Sequence, residues 1–256
     1  MTAITSTYKA ESGHWYAQSG EPAYTIIGAN GLERNTTLRD ARKLGLVPSV
    51  TTVMGVAAKP ALENWKIDRA LESAIKLTRY ASETDAKFMA RAKWDSKKSG
   101  KEAAVKGTRI HAMLEMGFTL GVDSEVFRTV RELLEGIYPN ETWFAEDSFC
   151  TDGYGGKIDL YSKSGIFVDF KTKDDLDVDN VSRMVYDEHG MQLSAYANGM
   201  NFNNPERCSI FVDRDIPSRV GYYIWETETH QKHLKMFQNL LSYWQLTKNY
   251  DSGETI

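Results

Sequence analysis

Gly155-Gly156-Lys157-Ile158-Asp159-Leu160, followed by Val168-Asp169-Phe170-Lys171, is the stretch whose reading decides the fold. Both pieces read as strands, and Lys163-Ser164-Gly165 between them is a turn signal, so the two form a hairpin. An aspartate ends the first apolar piece, and Asp-x-Lys lies inside the second. Side chains alternate faces along a strand, so Asp169 and Lys171 point to one side and Phe170 to the other. Two carboxylates and a lysine gathered in this way can hold a hard divalent cation and position a water beside it. That is the chemistry of metal-dependent phosphodiester cleavage.

Working outward, the spacing predicts three consecutive strands over 142–150, 156–161 and 166–172. Upstream, Pro60 starts a helix on which Leu62, Trp65, Ala70 and Leu71 form an apolar stripe. A second helix covers 84–98 and is interrupted at Ser99-Gly100; another runs over 101–120 to Gly121, and one more over 124–136. Downstream come a helix over 188–200, strands over 208–213 and 220–225, and a last helix over 228–248. Residues 1–47 read as a loosely structured opening. The order of elements gives a mixed α/β fold.

With 256 residues, 41% of them hydrophobic, the chain suits one large domain better than two small ones. The expected division is residues 1–100 as an N-terminal helical extension that binds substrate and 101–256 as a core. The early apolar run 53–58 is too short to span a bilayer, and the start, with Lys9 and Glu11, lacks an apolar leader region. Cys150 and Cys208 cannot make a disulfide framework or the four thiolates of an iron–sulfur cluster. A cytoplasmic protein with no membrane partner is expected. Net charge is −4, yet 87–109 holds eight basic residues against Asp95 and Glu102, with Phe88 and Trp94 among them. Such a segment, Lys93 and Trp94 included, either tracks a phosphate backbone with a stacking surface or is a solvated helix face.

Three further groups flank the opening stretch. In Gly107-Thr108-Arg109-Ile110-His111 and Glu115, His111 and Glu115 fall four apart, on one helix face. They are either a ligand and its neighbour in a cleft or an ordinary surface pair. Gln192 and Tyr196 are also four apart, either at the cleft edge or as a half-buried Tyr beside a solvent-facing Gln. Glu146 is an acid in an otherwise apolar first strand, completing a metal site or facing solvent.

In this order these motifs resemble the PD-(D/E)XK nuclease superfamily. They are most similar to the branch of the RecB nuclease domain, the CRISPR adaptation nucleases and the mitochondrial genome maintenance exonucleases, with many phage exonucleases. Pro48-Ser49-Val50-Thr51-Thr52 and Pro60-Ala61-Leu62-x-x-Trp65 also look like phage members of it. The resemblance implies a restriction-endonuclease-like core, a mixed central sheet flanked by helices, behind an N-terminal helical extension.

On the matching positions it implies Asp159 and Asp169 as metal-binding acids and Lys171 as the catalytic lysine. His111 and the Phe170 backbone carbonyl are further ligands of Mg²⁺ or Mn²⁺. Glu146 is the first-strand acid, although Asp147 competes for that place. Gln192 and Tyr196 form the helical motif, and with Arg109, Glu115, Lys93 and Trp94 they are the expected DNA contacts. The implied activity is that of an exonuclease on linear or single-stranded DNA, with a single-strand annealing or binding protein as a possible partner. Alternatives on the same scaffold are a structure-specific endonuclease, a junction resolvase or a non-catalytic nucleic-acid-binding protein. A calcium loop at 174–179 fails for want of glycine at Asn180, and His230 and His233 lack partners at zinc spacing.

Overall fold

The computed structural model describes residues 13–250; the opening residues 1–12, on which the leader reading rests, lie outside them. In chain order the elements are β1 (Trp15–Tyr16), β2 (Thr25–Ile27), β3 (Glu33–Asn35), α1 (Leu38–Leu44), β4 (Val47–Pro48), α2 (Val50–Met54), α3 (Pro60–Lys76), α4 (Asp85–Leu120) and α5 (Glu125–Ile137). There follow β5 (Trp143–Ala145), β6 (Ser148–Thr151), β7 (Tyr154–Lys157), β8 (Leu160–Ser162), β9 (Ile166–Lys173), α6 (Asp187–Gly199), β10 (Glu206–Asp213), β11 (Val220–Trp225) and α7 (His230–Lys248). The fold is mixed α/β.

A five-stranded sheet runs in the order β11-β10-β9-β8-β5. Its one parallel pair is β9 with β10, joined through α6, as a crossover connection requires. The β8–β9 turn is where the sequence puts it, with Gly165 at φ 101° and its N–H donating to the Ser162 carbonyl at 3.1 Å. Along β9 the side chains alternate. Val168 and Phe170 pack with Ile110 and Leu114 of α4 and with Val126, Val130 and Leu134 of α5. Phe167 belongs to the opposite cluster with Met191 and Leu193 of α6, Phe237 and Trp244. Each such apolar side chain taken out of water contributes about 1.5–3 kcal/mol, so β9 is fixed from both faces.

The structure departs from the sequence reading in five places. The first strand breaks into β5 and β6 at Glu146, which adopts φ 62°. The second breaks into β7 and β8 around Asp159. Breaks facing each other act like a bulge and bend the hairpin. Residues 13–47 are not loose, because Trp15 and Tyr16 are each 2% exposed and β1 pairs with β4. The apolar stripe of α3 is not a core face: Leu62, Trp65 and Leu71 are all exposed.

The fifth departure is that α4 passes through Ser99-Gly100 without interruption. Thr84 caps its start, accepting from the Lys87 N–H, and Gly121 at φ 69° ends it. Glycine inside a helix costs about 0.5–1 kcal/mol relative to alanine, far less than proline, and tertiary packing against α3 outweighs it. A Cβ built on Gly100 would meet Trp65 Cη2 at 3.7 Å, an ordinary contact. Gly100→Ala is therefore expected to stabilise the protein by about 0.5–1 kcal/mol, read from the urea midpoint. An unchanged or lower midpoint would argue for a broken helix.

Candidate active site

Strand pairing between β8 and β9 ends at Leu160–Val168, while β9 continues to Lys173 along β10. The Phe170 N–H, which a longer β8 would have engaged, donates instead to Asp159 Oδ2 at 2.8 Å. The two strands thus part at the acid pair. His111, on α4, reaches the opening with Nδ1 3.8 Å from the same Asp159 oxygen. Gly107 lets α4 lie this close, since a Cβ there would come within 2.8 Å of Thr172 Oγ1 on β9.

As the alternation predicts, Asp169 and Lys171 share a face, with Nζ 2.5 Å from Asp169 Oδ2. Asp169 is 1% exposed, and this oxygen accepts no well-formed hydrogen bond. Lys171 Nζ donates to Gln192 Oε1 at 2.9 Å, and Gln192 Nε2 donates to the Tyr196 hydroxyl at 2.9 Å. Tyr196 is 5% exposed, and its hydroxyl supports Gln192 from within. Gly156 makes room for it: a Cβ there would stand 2.8 Å from the Tyr196 ring. Burial, with Asp159 and Asp169 nearby, holds the Tyr196 phenol well above its ordinary pKa, so it stays protonated.

Of the two candidate first-strand acids, Glu146 faces the cleft. Its carboxylate pairs with Lys157 and feels the charges of Asp159 and Glu115. Asp147 accepts from the Tyr161 hydroxyl at 2.8 Å instead. Burial raises the Glu146 pKa, opposed by Lys157. Glu115 and Arg109 are exposed on α4. Lys93 and Trp94 are also exposed but precede His111 by 17 or 18 residues of one continuous helix, about 26 Å along its axis. The site does not include them.

Several residues were missed from sequence. An open pocket of about 240 Å³ beside Lys171 is lined by Thr51, Met54, Lys59, Glu188, His189 and Gln192. His189 is buried, accepts from the Tyr186 N–H at 3.5 Å, and is held down to about 3 by burial and by Lys171, Lys173 and Lys59. The available signal was Lys173, two residues beyond Lys171 on the same strand face. A larger hollow of about 550 Å³ at the start of α3 presents Ala57, Ala58, Lys59, Pro60, Leu62, Glu63 and Lys66 but none of the clustered acids.

Among the described residues no three His, Cys, Asp or Glu side chains already converge as a cation cage. Asp169 is turned to Lys171, and Asp159 to the Phe170 amide. Cys150 and Cys208 are free thiols. No helix among the described residues is long and apolar enough to cross a membrane.

No protein-family model and no curated protein matches the chain. Among solved structures it is similar to SSO0001, at 13% identity and a TM-score of 0.30, over 70% of this chain and 85% of that one. It is similar to an alkaline exonuclease, LHK-Exo, from Laribacter hongkongensis, at 13% identity and 0.34, over 73% and 98%. A phage-related exonuclease from Haemophilus somnus 129PT aligns at 15% and 0.34, over 71% and 94%. Likenesses this distant carry no argument about activity.

Burial and the neighbouring Asp169 raise the Asp159 pKa, against the pull of His111, Lys171 and the Phe170 N–H. The folded chain therefore holds that proton more tightly than the unfolded chain. This group's contribution to stability falls as pH rises above its ordinary 3.8. Asp159→Asn keeps an oxygen for the Phe170 N–H and removes the charge. It is expected to melt a few degrees above the parent at pH 8 in EDTA, with the advantage shrinking towards pH 4. Equal melting at pH 8 would contradict this electrostatic picture. Helix α4, the bent hairpin, the Asp-x-Lys strand, α6 and the parallel strand β10 make a mixed sheet flanked by helices.

Proposed function

We propose that the chain is a Mg²⁺- or Mn²⁺-dependent deoxyribonuclease, an exonuclease on linear or single-stranded DNA in replication, recombination or repair. The observation that carries this reading is a buried Asp169 beside Asp159 at a strand opening, with Lys171 held over it by Gln192 and Tyr196. The donors fit a hard divalent cation: Asp159, whose carboxyl burial and the nearby Asp169 hold above its ordinary pKa, a buried Asp169 oxygen paired with the Lys171 ammonium, and the His111 imidazole. Asp159, Asp169, His111 and the Phe170 carbonyl would hold it, with Glu146 at the rim. When bound, such an ion polarises a phosphoryl oxygen and lowers the pKa of a water.

The chain's own groups do the rest. Lys171 offers an ammonium to the attacking water and to negative charge growing on the phosphoryl oxygens. Gln192 fixes that ammonium by its oxygen, and Tyr196 fixes Gln192. Lys59 and Lys173 place positive charge around the neighbouring His189, where a phosphate backbone would be attracted.

Asp169→Asn and Lys171→Ala are expected to lower cleavage at least about 100-fold while leaving DNA binding largely intact. The assay uses end-labelled single- and double-stranded linear DNA and closed circular DNA with Mg²⁺, Mn²⁺ or EDTA. Near-normal turnover by Lys171→Ala would sink the assignment of that lysine. Undiminished activity in EDTA would remove the metal, and cutting of closed circles would favour an endonuclease.

A further inference from the structure

We propose that His14 and Tyr24 form a stacking platform for an unpaired nucleobase beside the Glu146–Lys157 rim of the cleft. The proposal deepens the nuclease reading and rests on it for the identity of the ligand. The two rings stack with centroids 4.4 Å apart and an interplanar angle of 26°. His14 is exposed and Tyr24 half-buried, so the pair is not sealed into a core.

The platform is held from beneath. The hydroxyls of Tyr16 and Tyr24 lie 2.5 Å apart, and the two rings meet edge to face at 5.6 Å and 90°. Tyr16 is 2% exposed and lies against Gly155, where a Cβ would come within 2.7 Å of the Tyr16 Cβ. Gly155 is two residues before Lys157 on β7, so the ladder of rings stands at the bent hairpin that carries Glu146 and Asp159.

The backbone is fixed as well. The His14 N–H donates to Thr52 Oγ1 at 3.0 Å, and the His14 carbonyl accepts the Ser49 N–H at 2.8 Å. Electrostatics place the phenol at the site. The Tyr24 hydroxyl feels the charges of Lys157 and Glu146, and the Tyr196 phenol feels Tyr24.

The chemistry favours a nucleobase. Flat rings offer a π-face that any base can cover, and rigid rings lose little freedom on binding. Lys157, two residues beyond Gly155 on β7 and paired with Glu146, brings a cation to the same rim. A duplex end would present its bases already stacked, so the platform would select single-stranded or frayed DNA.

The test uses the full chain and a single-stranded oligonucleotide carrying 2-aminopurine, bound in EDTA, with cleavage of the same strand measured separately in Mg²⁺. His14→Ala and Tyr24→Ala are each expected to lose most of the fluorescence quench and to bind about tenfold more weakly, about 1.4 kcal/mol. They should also raise KM while kcat stays within about twofold. Tyr24→Phe, which keeps the ring, is expected to retain the quench. Unchanged quench and affinity in both alanine variants, or no binding by the parent, would overturn the platform. Should Tyr24→Ala fail to melt cooperatively, His14→Ala decides, because that ring is exposed. If the parent cleaves no DNA with any metal while the quench behaves as expected, the platform stands and the nuclease reading falls.

Discussion

The parting of β8 from β9 beyond the Leu160–Val168 pair is the constraint on which the candidate site depends. A strand losing its neighbour in a core leaves buried N–H groups, each costing about 1–3 kcal/mol if unmet. Asp159 removes that cost by giving its own carboxylate to the Phe170 N–H. The acid is therefore part of the backbone's hydrogen bonding before it is part of any chemistry. On its other edge β9 stays paired with β10 from Glu206 to Asp213, which keeps Asp169, Lys171 and Lys173 in strict alternation through the opening. The gap and the straight strand together bring Asp159, in the break between β7 and β8, within 3.8 Å of His111 on α4 while Asp169 stays paired with Lys171.

The ion pair at that point is poor evidence of stabilisation. Taking a carboxylate and an ammonium out of water costs several kcal/mol per ion, and hydrophobic replacements of such pairs are often neutral or better. Asp169 and Lys171 are nevertheless supported by a chain of bonds through Gln192 to a buried Tyr196. The space for that tyrosine is made by a glycine at 156. A fold that gives a buried phenol, an amide and a glycine to the orientation of one ammonium is organised around where that ammonium points.

Much of this was legible in the sequence because it depends on periods of two and four. The shared face of Asp169 and Lys171, the Gln192–Tyr196 pair and the β8–β9 turn follow from spacing alone. What was not legible depends on competition between elements. Nothing local tells that Glu146 takes φ 62° and that Asp159 sits in a break, because the bend arises from the pairing of two strand pieces with each other. Gly100 reads as a stop, yet Trp65 of α3 covers it and the helix continues. Trp15 and Tyr16 read as part of a loose opening because their partners, Trp244, Tyr250 and Gly155, are far away in sequence. Nor does the sequence tell that the Tyr161 hydroxyl donates to Asp147 while Glu146 pairs with Lys157.

The source of positive charge at the site changes in the same way. The basic run 87–109 looks like the phosphate-binding surface, but part of it is committed: Arg91 pairs with Glu83 and Lys106 with Asp215. The lysines near the cleft come from separate places, Lys59 before α3, Lys157 on β7, and Lys171 and Lys173 on β9, and the first three are themselves paired, with Glu188, Glu146 and Asp169. Three of them act on His189, which burial already holds neutral, so at neutral pH that ring adds hydrogen-bonding capacity and no further charge. The acids Glu146, Asp159 and Glu115 gather on the other side, where their charges act on one another. The cleft thus sets lysines around His189 on one side and the acids Glu146, Asp159 and Glu115 on the other. Neither net charge nor any run of residues predicts that polarity. It is produced by the bend in the hairpin, which turns Glu146 and Asp159 towards β9 at the level of Asp169.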